Sequence, residues 1–159
     1  MVRKPIVAGT FYEAEEEALN EQIKNCFLSK FGPGRLPEIK KEKKEKAVLG
    51  IIVPHAGYVY SGACAAYAYK EIAESASPDL FVIIGLSHSG YSSCISLEDW
   101  ETPLGIARND KDFGRSLIKT GLKQNETAHS QEHSIEVQLP FLQFTNNIDN
   151  NKNSNVVFI

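Results

Sequence analysis

The sequence predicts an α/β fold built on a central, largely parallel sheet. Three observations carry the prediction. First, residues 47–53 and 80–86 are uncharged apolar runs of seven residues each. Runs of that length and composition suit strands buried on both faces. Second, residues 61–74 lie between them, with small residues at Ala63, Cys64, Ala65, Ala66 and Ala68 that let a helix lie close to a sheet. A helical connection of that length makes a right-handed βαβ unit, so the two strands run parallel. Third, each run ends in a histidine and a glycine-marked turn, Pro54-His55-Ala56-Gly57 and Ser87-His88-Ser89-Gly90. Parallel strands bring their carboxyl ends to one side of the sheet, where open α/β sheets bind ligands. His55 and His88 are therefore expected to open into one crevice.

The other elements follow in order. Residues 5–12 form a short extended or turn segment whose Phe11 and Tyr12 tuck onto the domain edge. Residues 13–31 read as a helix, with Leu19, Ile23, Cys26, Phe27 and Phe31 at three- and four-residue steps and Glu15, Glu16 and Glu17 near its positive end. Gly32-Pro33-Gly34 stops it. Residues 35–46 are a charged, solvated, mobile loop of mixed sign. Pro54 ends the first strand, and Ser61 is the expected N-cap of the helix that follows. Tyr91–Leu97 alternates as a more exposed strand, and residues 98–105 form a loop with a tight turn. Asn109 or Asp110 caps a helix carrying Phe113, Leu117 and Ile118, which Gly121 stops. Residues 132–144 read as largely helical, interrupted near Pro140. An asparagine-rich loop precedes Val156-Val157-Phe158-Ile159, which reads as the start of a strand.

Bulk properties narrow the function. A chain of 159 residues with 42% hydrophobic and 23% charged residues suits one globular domain. A net charge of −3 gives no electrostatic case for nucleic acid or an anionic membrane. No apolar run approaches the roughly 20 residues that span a bilayer, and Met1-Val2-Arg3-Lys4-Pro5 lacks the apolar region of a signal peptide. Cys26, Cys64 and Cys94 are odd in number and widely spaced, which points to a reducing, cytoplasmic setting. Zinc-ribbon, P-loop, dinucleotide-fold and nucleophile-elbow signatures do not occur.

The candidate site residues start from His55 and His88. Ser87 can bond the backbone of its own turn. Tyr58 and Tyr60 are candidates to line the crevice. His133, with Glu132, Glu136 and His129 near it, fits a helix-face metal site; caps or salt bridges are the favoured roles for the glutamates. Cys64 is expected in the core of its helix, Cys94 in a strand, and Trp100 in packing.

Five segments taken together resemble the Memo family, named for mediator of cell motility. They are Pro5-Ile6-Val7-Ala8-Gly9-Thr10-Phe11-Tyr12, Pro54-His55-Ala56-Gly57-Tyr58 with Tyr60-Ser61-Gly62, Gly85-Leu86-Ser87-His88, Thr102-Pro103-Leu104-Gly105, and Glu132-His133-Ser134-Ile135-Glu136-Val137-Gln138-Leu139-Pro140. The family in turn resembles LigB-type class III extradiol non-heme iron dioxygenases. The resemblance implies a three-layer α/β/α domain of which residues 1–159 form an N-terminal part, truncated at the C-terminal end. It implies that His55 and His88 match two metal-ligand histidines, with Fe(II) or another divalent transition metal as cofactor. The family's Asp–His pair and cysteine belong to a second half outside these segments.

The function implied is a metal-dependent, dioxygenase-like redox enzyme acting on an unidentified small molecule. The alternative is a non-catalytic module that binds a peptide, phosphopeptide or other anion in the same crevice, near a helix N-terminus. A metal-assisted hydrolase or transferase on the same histidines is a third reading. Prokaryotic members of the family are also linked by genomic neighbourhood to radical-SAM proteins, which implies a shared pathway.

Overall fold

A computed structural model describes residues 1–38, 48–76, 78–146 and 155–159. In chain order its elements are β1 (Val2–Arg3), α1 (Glu16–Leu28), α2 (Tyr58–Ala73), β2 (Leu80–Ile83), β3 (Cys94–Ile95), β4 (Asp99–Thr102) and β5 (Gly105–Ala107). There follow α3 (Lys111–Ile118), β6 (Lys123–Gln124), α4 (Glu126–Ser130), a 3-10 turn (Glu136–Gln138), α5 (Leu139–Asn146) and β7 (Asn155–Phe158). No helix among the described residues is long and apolar enough to cross a membrane.

The last strand sits in the middle. Val156, Val157 and Phe158 are fully buried, as the β-branched and aromatic run at the end of the chain requires. β7 pairs in parallel with β2, Leu80 opposite Asn155 through Ile83 opposite Phe158. On its other edge Val156 N–H donates to Arg108 O at 3.0 Å, and Asp110 and Ser96 N–H donate to Val156 O and Phe158 O at 2.9 and 3.1 Å. β1 pairs in parallel with β4, β4 antiparallel with β5, and β3 in parallel with β6. The fold is α/β with largely parallel pairing.

Helices α1, α2 and α5 pack against one another over the core. Leu19, Ile23 and Phe27 of α1, Ala65, Ala66 and Tyr69 of α2, and Phe141 and Leu142 of α5 are buried there. The Phe27 and Phe141 rings meet edge-on at 5.8 Å, and the Tyr69 and Phe141 rings stack at 5.0 Å. Gly62 lets α2 approach α1, because a Cβ there would run into Cys26 Sγ. Asp110 caps α3, its side chain accepting from Phe113 N–H at 2.9 Å. The expected interruption near Pro140 is the 3-10 turn giving way to α5; Pro140 sits in the first turn, where its missing N–H leaves no helical bond unmade.

Three expectations are corrected. Ser61 is not the N-cap: α2 starts at Tyr58 with Gly57 as cap, and the Ser61 hydroxyl, a turn inside, donates back to Ala56 O at 3.1 Å. The cap's task passes to a distant group, since Tyr58 N–H donates to Phe11 O at 2.7 Å. Cys64 is exposed rather than in the core, because Gly62, Ala65, Ala66 and Tyr69 take the inward face. Residues 48–53 make no strand: their backbone groups have no hydrogen bond among the described residues, and β2 pairs with β7 instead. Ile51 and Val53 nevertheless pack on the core, while Leu49 and Ile52 are completely exposed. Most of the charged stretch 35–46, from residue 39 onward, and all of the asparagine-rich loop 146–155 except its two ends, Asn146 in α5 and Asn155 in β7, lie outside the described residues.

Candidate metal centre

His55 ends the extended segment that Ile51 and Val53 hold on the core. Pro54 O accepts from Gln138 Nε2 at 3.2 Å, and three residues after His55 the chain is pinned by the bond from Tyr58 N–H to Phe11 O. His55 is thus fixed from both sides by groups far away in sequence.

His88 follows β2. Gly85 N–H donates to Ile159 O at 2.9 Å, and Leu86 O accepts from Ser134 Oγ at 3.0 Å. Gly90, at φ 74°, closes the turn beyond. His88 N–H donates to Glu132 Oε2 at 2.7 Å, and His88 Nδ1 lies 2.9 and 3.1 Å from the two Glu132 oxygens. A carboxylate against Nδ1 selects the tautomer that carries its proton there and leaves Nε2 as the free lone pair.

Glu132 also accepts from His133 N–H and Ser134 N–H, each at 2.8 Å. Burial works to raise its pKa, but these donors outweigh it and bring the carboxyl down to about 2. With four donors on two oxygens, Glu132 acts as a holder of His88. His133 completes the cluster: its ring stacks on His88 at 4.6 Å and 16° and meets Phe11 edge-on at 4.7 Å. The His55 ring lies 5.2 Å from His88 and 6.1 Å from His133. Burial, then the neighbouring His88, holds His133 below the ordinary histidine pKa, which favours the neutral form with a free ring lone pair. Ligand atoms of His88, Glu132 and His133 all lie within 4.8 Å of one another.

A buried ion pair supports the turn that presents Glu132. Arg3 Nη1 donates to Glu136 Oε2 at 2.7 Å, Nε to His129 O at 2.8 Å and Nη2 to Glu132 O at 2.7 Å. Its guanidinium lies 4.0 Å over the Trp100 ring, and Trp100 is fully buried. Glu136, also fully buried, accepts further from Ile6 N–H, Val7 N–H and the Tyr12 hydroxyl. The glutamates of the Glu132-His133-Ser134-Ile135-Glu136 segment are therefore a turn-former and an ion-pair partner.

The structure brings His55, His88 and His133 together and leaves three other candidates apart. Tyr58 is a core residue rather than a crevice residue; its hydroxyl donates to Val137 O at 2.8 Å because burial demands a partner. Tyr60 is exposed and borders a hollow with Cys26 and Cys64. Ser87 is exposed and lines, with Glu132, a hollow of about 290 Å³ that reaches Cys94 and His129. Sequence reasoning missed Glu132 as the partner of His88, and with it Phe11 and Arg3. The acidic residue next to His133 was the visible signal, but nothing in the spacing tied it to a histidine 44 positions earlier.

A family model for Memo-like proteins matches residues 3–158. A MEMO1 family protein of Methanobrevibacter smithii is 44% identical over 152 residues, covering 92% of this chain and 54% of the relative. One from Sulfurisphaera tokodaii is 45% identical over 149 residues, 91% of this chain and 52% of the relative. One from Ignicoccus hospitalis is 44% identical over 149 residues, with the same two coverages of 91% and 52%. The chain spans about half the length of these curated relatives. With nearly every residue inside the match, and the motifs around His55, His88 and Glu132 among them, the chain belongs to the Memo-like family.

Proposed function

We propose that His55 and His88 hold a divalent transition metal, Fe(II) in the first instance, in a dioxygenase-like redox protein. The observation that supports this most is the Glu132 carboxylate on His88 Nδ1, 2.9 Å away. A carboxylate behind a ligand histidine fixes the ring, sets the tautomer and raises the basicity of the free nitrogen. The donor set fits: neutral imidazole nitrogens suit iron, copper, zinc and nickel. His133, whose ring stacks on His88 at 4.6 Å, is the nearest further donor. The metal, when bound, supplies Lewis-acid and one-electron chemistry at its open positions. The chain's own residues orient it: Glu132 aims His88, Phe11 seats His133, and Gln138 anchors the carbonyl before His55. Since the chain spans about half of its relatives' length, the remaining ligands and the substrate pocket belong in this reading to the rest of the family's polypeptide.

The anion-binding alternative draws less support. At the start of α2, Tyr58 N–H is taken by Phe11 O and Tyr60 N–H by Gly57 O, at 2.7 and 2.9 Å. Few free donors are left for a phosphate.

The test is anaerobic Fe(II) titration by calorimetry, with Co(II) absorption as a second probe. His55→Ala and His88→Ala are expected to weaken binding at least about 100-fold, and Glu132→Gln about tenfold, the usual effect of losing an outer partner. Equal affinity of wild type and both histidine variants overturns the proposal.

A further inference from the structure

Residues 48–53 and 80–86 line a common groove and share no backbone hydrogen bond among the described residues. One part, of about 490 Å³, is lined by Ile51, Val53, Val82 and Ile84 and ends at His55. Another, of about 360 Å³, continues past Val48 and Leu80. Tyr69 and Ile72 of α2 and Leu142 of α5 line it as well.

Among the described residues, neither wall has a hydrogen-bonded neighbour on the groove side. Residues 48–53 have no backbone hydrogen bond among the described residues. On the other wall, Ile83 O and Gly85 N–H are bonded to Ile159. The alternation of a strand therefore turns the backbone groups of Val82 and Ile84 to the opposite edge, toward the groove. Each wall also carries apolar side chains on both faces. Ile51, Val53, Phe81 and Ile83 pack on the core. Leu49 and Ile52 are 99% and 101% exposed, and Val82, Ile84 and Leu86 are 46%, 75% and 57% exposed. A contiguous apolar surface of this kind, beside two unpaired edges, is a template for another strand.

The relatives indicate what fills it. The chain covers 92% of itself but only 54% of the Methanobrevibacter smithii protein. We infer that the groove between residues 48–53 and 80–86 is the seat of a β-strand from the part of the Memo-family polypeptide outside this match, and that Leu49, Ile52, Val82, Ile84 and Leu86 pack against that same part. The inserted strand joins the two walls into one sheet with β7. Because the groove ends at His55, its occupant reaches the histidine cluster directly. This inference stands apart from the metal proposal, since it needs no ligand at His55 or His88.

The test mixes the 159-residue chain with the remaining portion of the Methanobrevibacter smithii relative, made as a separate polypeptide, and follows amide hydrogen exchange. Amides of residues 48–53 and of Val82 and Ile84 are expected to exchange at least about 100-fold more slowly in the mixture, as amides do on joining a sheet. Ile52→Lys and Ile84→Lys, both at exposed positions, should each weaken association tenfold or more; Leu28→Lys, exposed on α1, should leave it unchanged. Should the second polypeptide not fold alone, it is joined by a flexible linker after Ile159 and the same amides are read against the unfused chain. Unchanged exchange at these amides in the fused protein overturns the inference. So does a symmetric dimer of the chain alone that already protects the groove, which would make a second copy the occupant.

Discussion

Replacing Glu136 with alanine should be among the most damaging single changes to this fold, although Glu136 touches none of the three histidines at the candidate centre. The carboxylate accepts from Arg3 Nη1 at 2.7 Å, Tyr12 Oη at 2.7 Å, and Ile6 and Val7 N–H at 3.0 Å each. Both Arg3 and Glu136 are buried, at 7% and 0% exposure. Removing the carboxylate leaves a guanidinium without its counter-charge and three further donors unsatisfied. Breaking one side of a buried pair costs about 3–5 kcal/mol, and each orphaned buried donor about 1–3 kcal/mol before water relieves it. A loss of about 4 kcal/mol is a large share of the ~5–15 kcal/mol that holds a domain together. Burial, followed by the charge of Glu136, pushes the Tyr12 phenol far up, so in the wild-type protein Tyr12 stays the protonated donor to Glu136.

The assay is urea unfolding followed by far-UV circular dichroism. With a slope of about 2 kcal/mol/M, the midpoint should fall by about 2 M. Arg3→Met should cost less, because Glu136 keeps three donors and the thioether can lie on Trp100. In Arg3→Met/Glu136→Gln the two losses should be less than additive by about 1.5 kcal/mol or more, as expected for partners in one network. A midpoint shift below about 0.5 M for Glu136→Ala, or strict additivity in the cycle, would refute this account of the ion pair.

Two further outcomes follow from the same geometry. Gly62→Ala gains roughly 1 kcal/mol of helix propensity but drives a Cβ into Cys26 Sγ, and overpacking costs about 1–3 kcal/mol; the variant should be destabilised in urea and restored by adding Cys26→Ala, and a stabilised single variant contradicts the close α1–α2 contact. Burial lowers the pKa of His129 and, together with His88, that of His133. The unfolded chain then binds more protons than the native one below about pH 6.5, so stability rises with pH through that region and levels off above it. The urea midpoint should be lower at pH 5.5 than at pH 7.5, and His129→Gln should narrow the gap; equal midpoints at the two pH values for the wild type would contradict it. Glu74 and Glu132, each brought to about 2 by donors that outweigh burial, add a second loss as pH falls from the ordinary glutamate value through about 2.

What could be read in the sequence and what could not divide by range. The approach of His55 to His88, their rings 5.2 Å apart, was legible because each announces itself locally, as a histidine after an apolar run and before a glycine turn. Asp110 was legible as a cap for the same reason: its partner is three residues away. Ser61 misled because the serine hydroxyl is a good local cap, whereas the actual start of α2 is set by Phe11, 47 residues upstream of Tyr58, which takes the first N–H. Arg3 and Glu136 were opaque because they stand 133 positions apart, and no periodicity links such a pair.

Residues 48–53 failed in a more instructive way. Their composition signals apolar surroundings on two faces, and the structure covers one of them, through Ile51 and Val53, while Leu49 and Ile52 stay exposed. Sequence pattern records what a segment is built to be buried against; it does not say which part of the polypeptide supplies the cover. The same distinction applies at the centre. Residue type and local turn chemistry select the imidazoles, while long-range contacts decide how each one points. Glu132 aims His88 from 44 residues away, and Arg3, from the N-terminal strand, holds the turn that carries Glu132. The ring orientation at His88 is therefore set through long-range contacts, and a mutation of Arg3 in β1 should be felt at Glu132 and, through it, at His88.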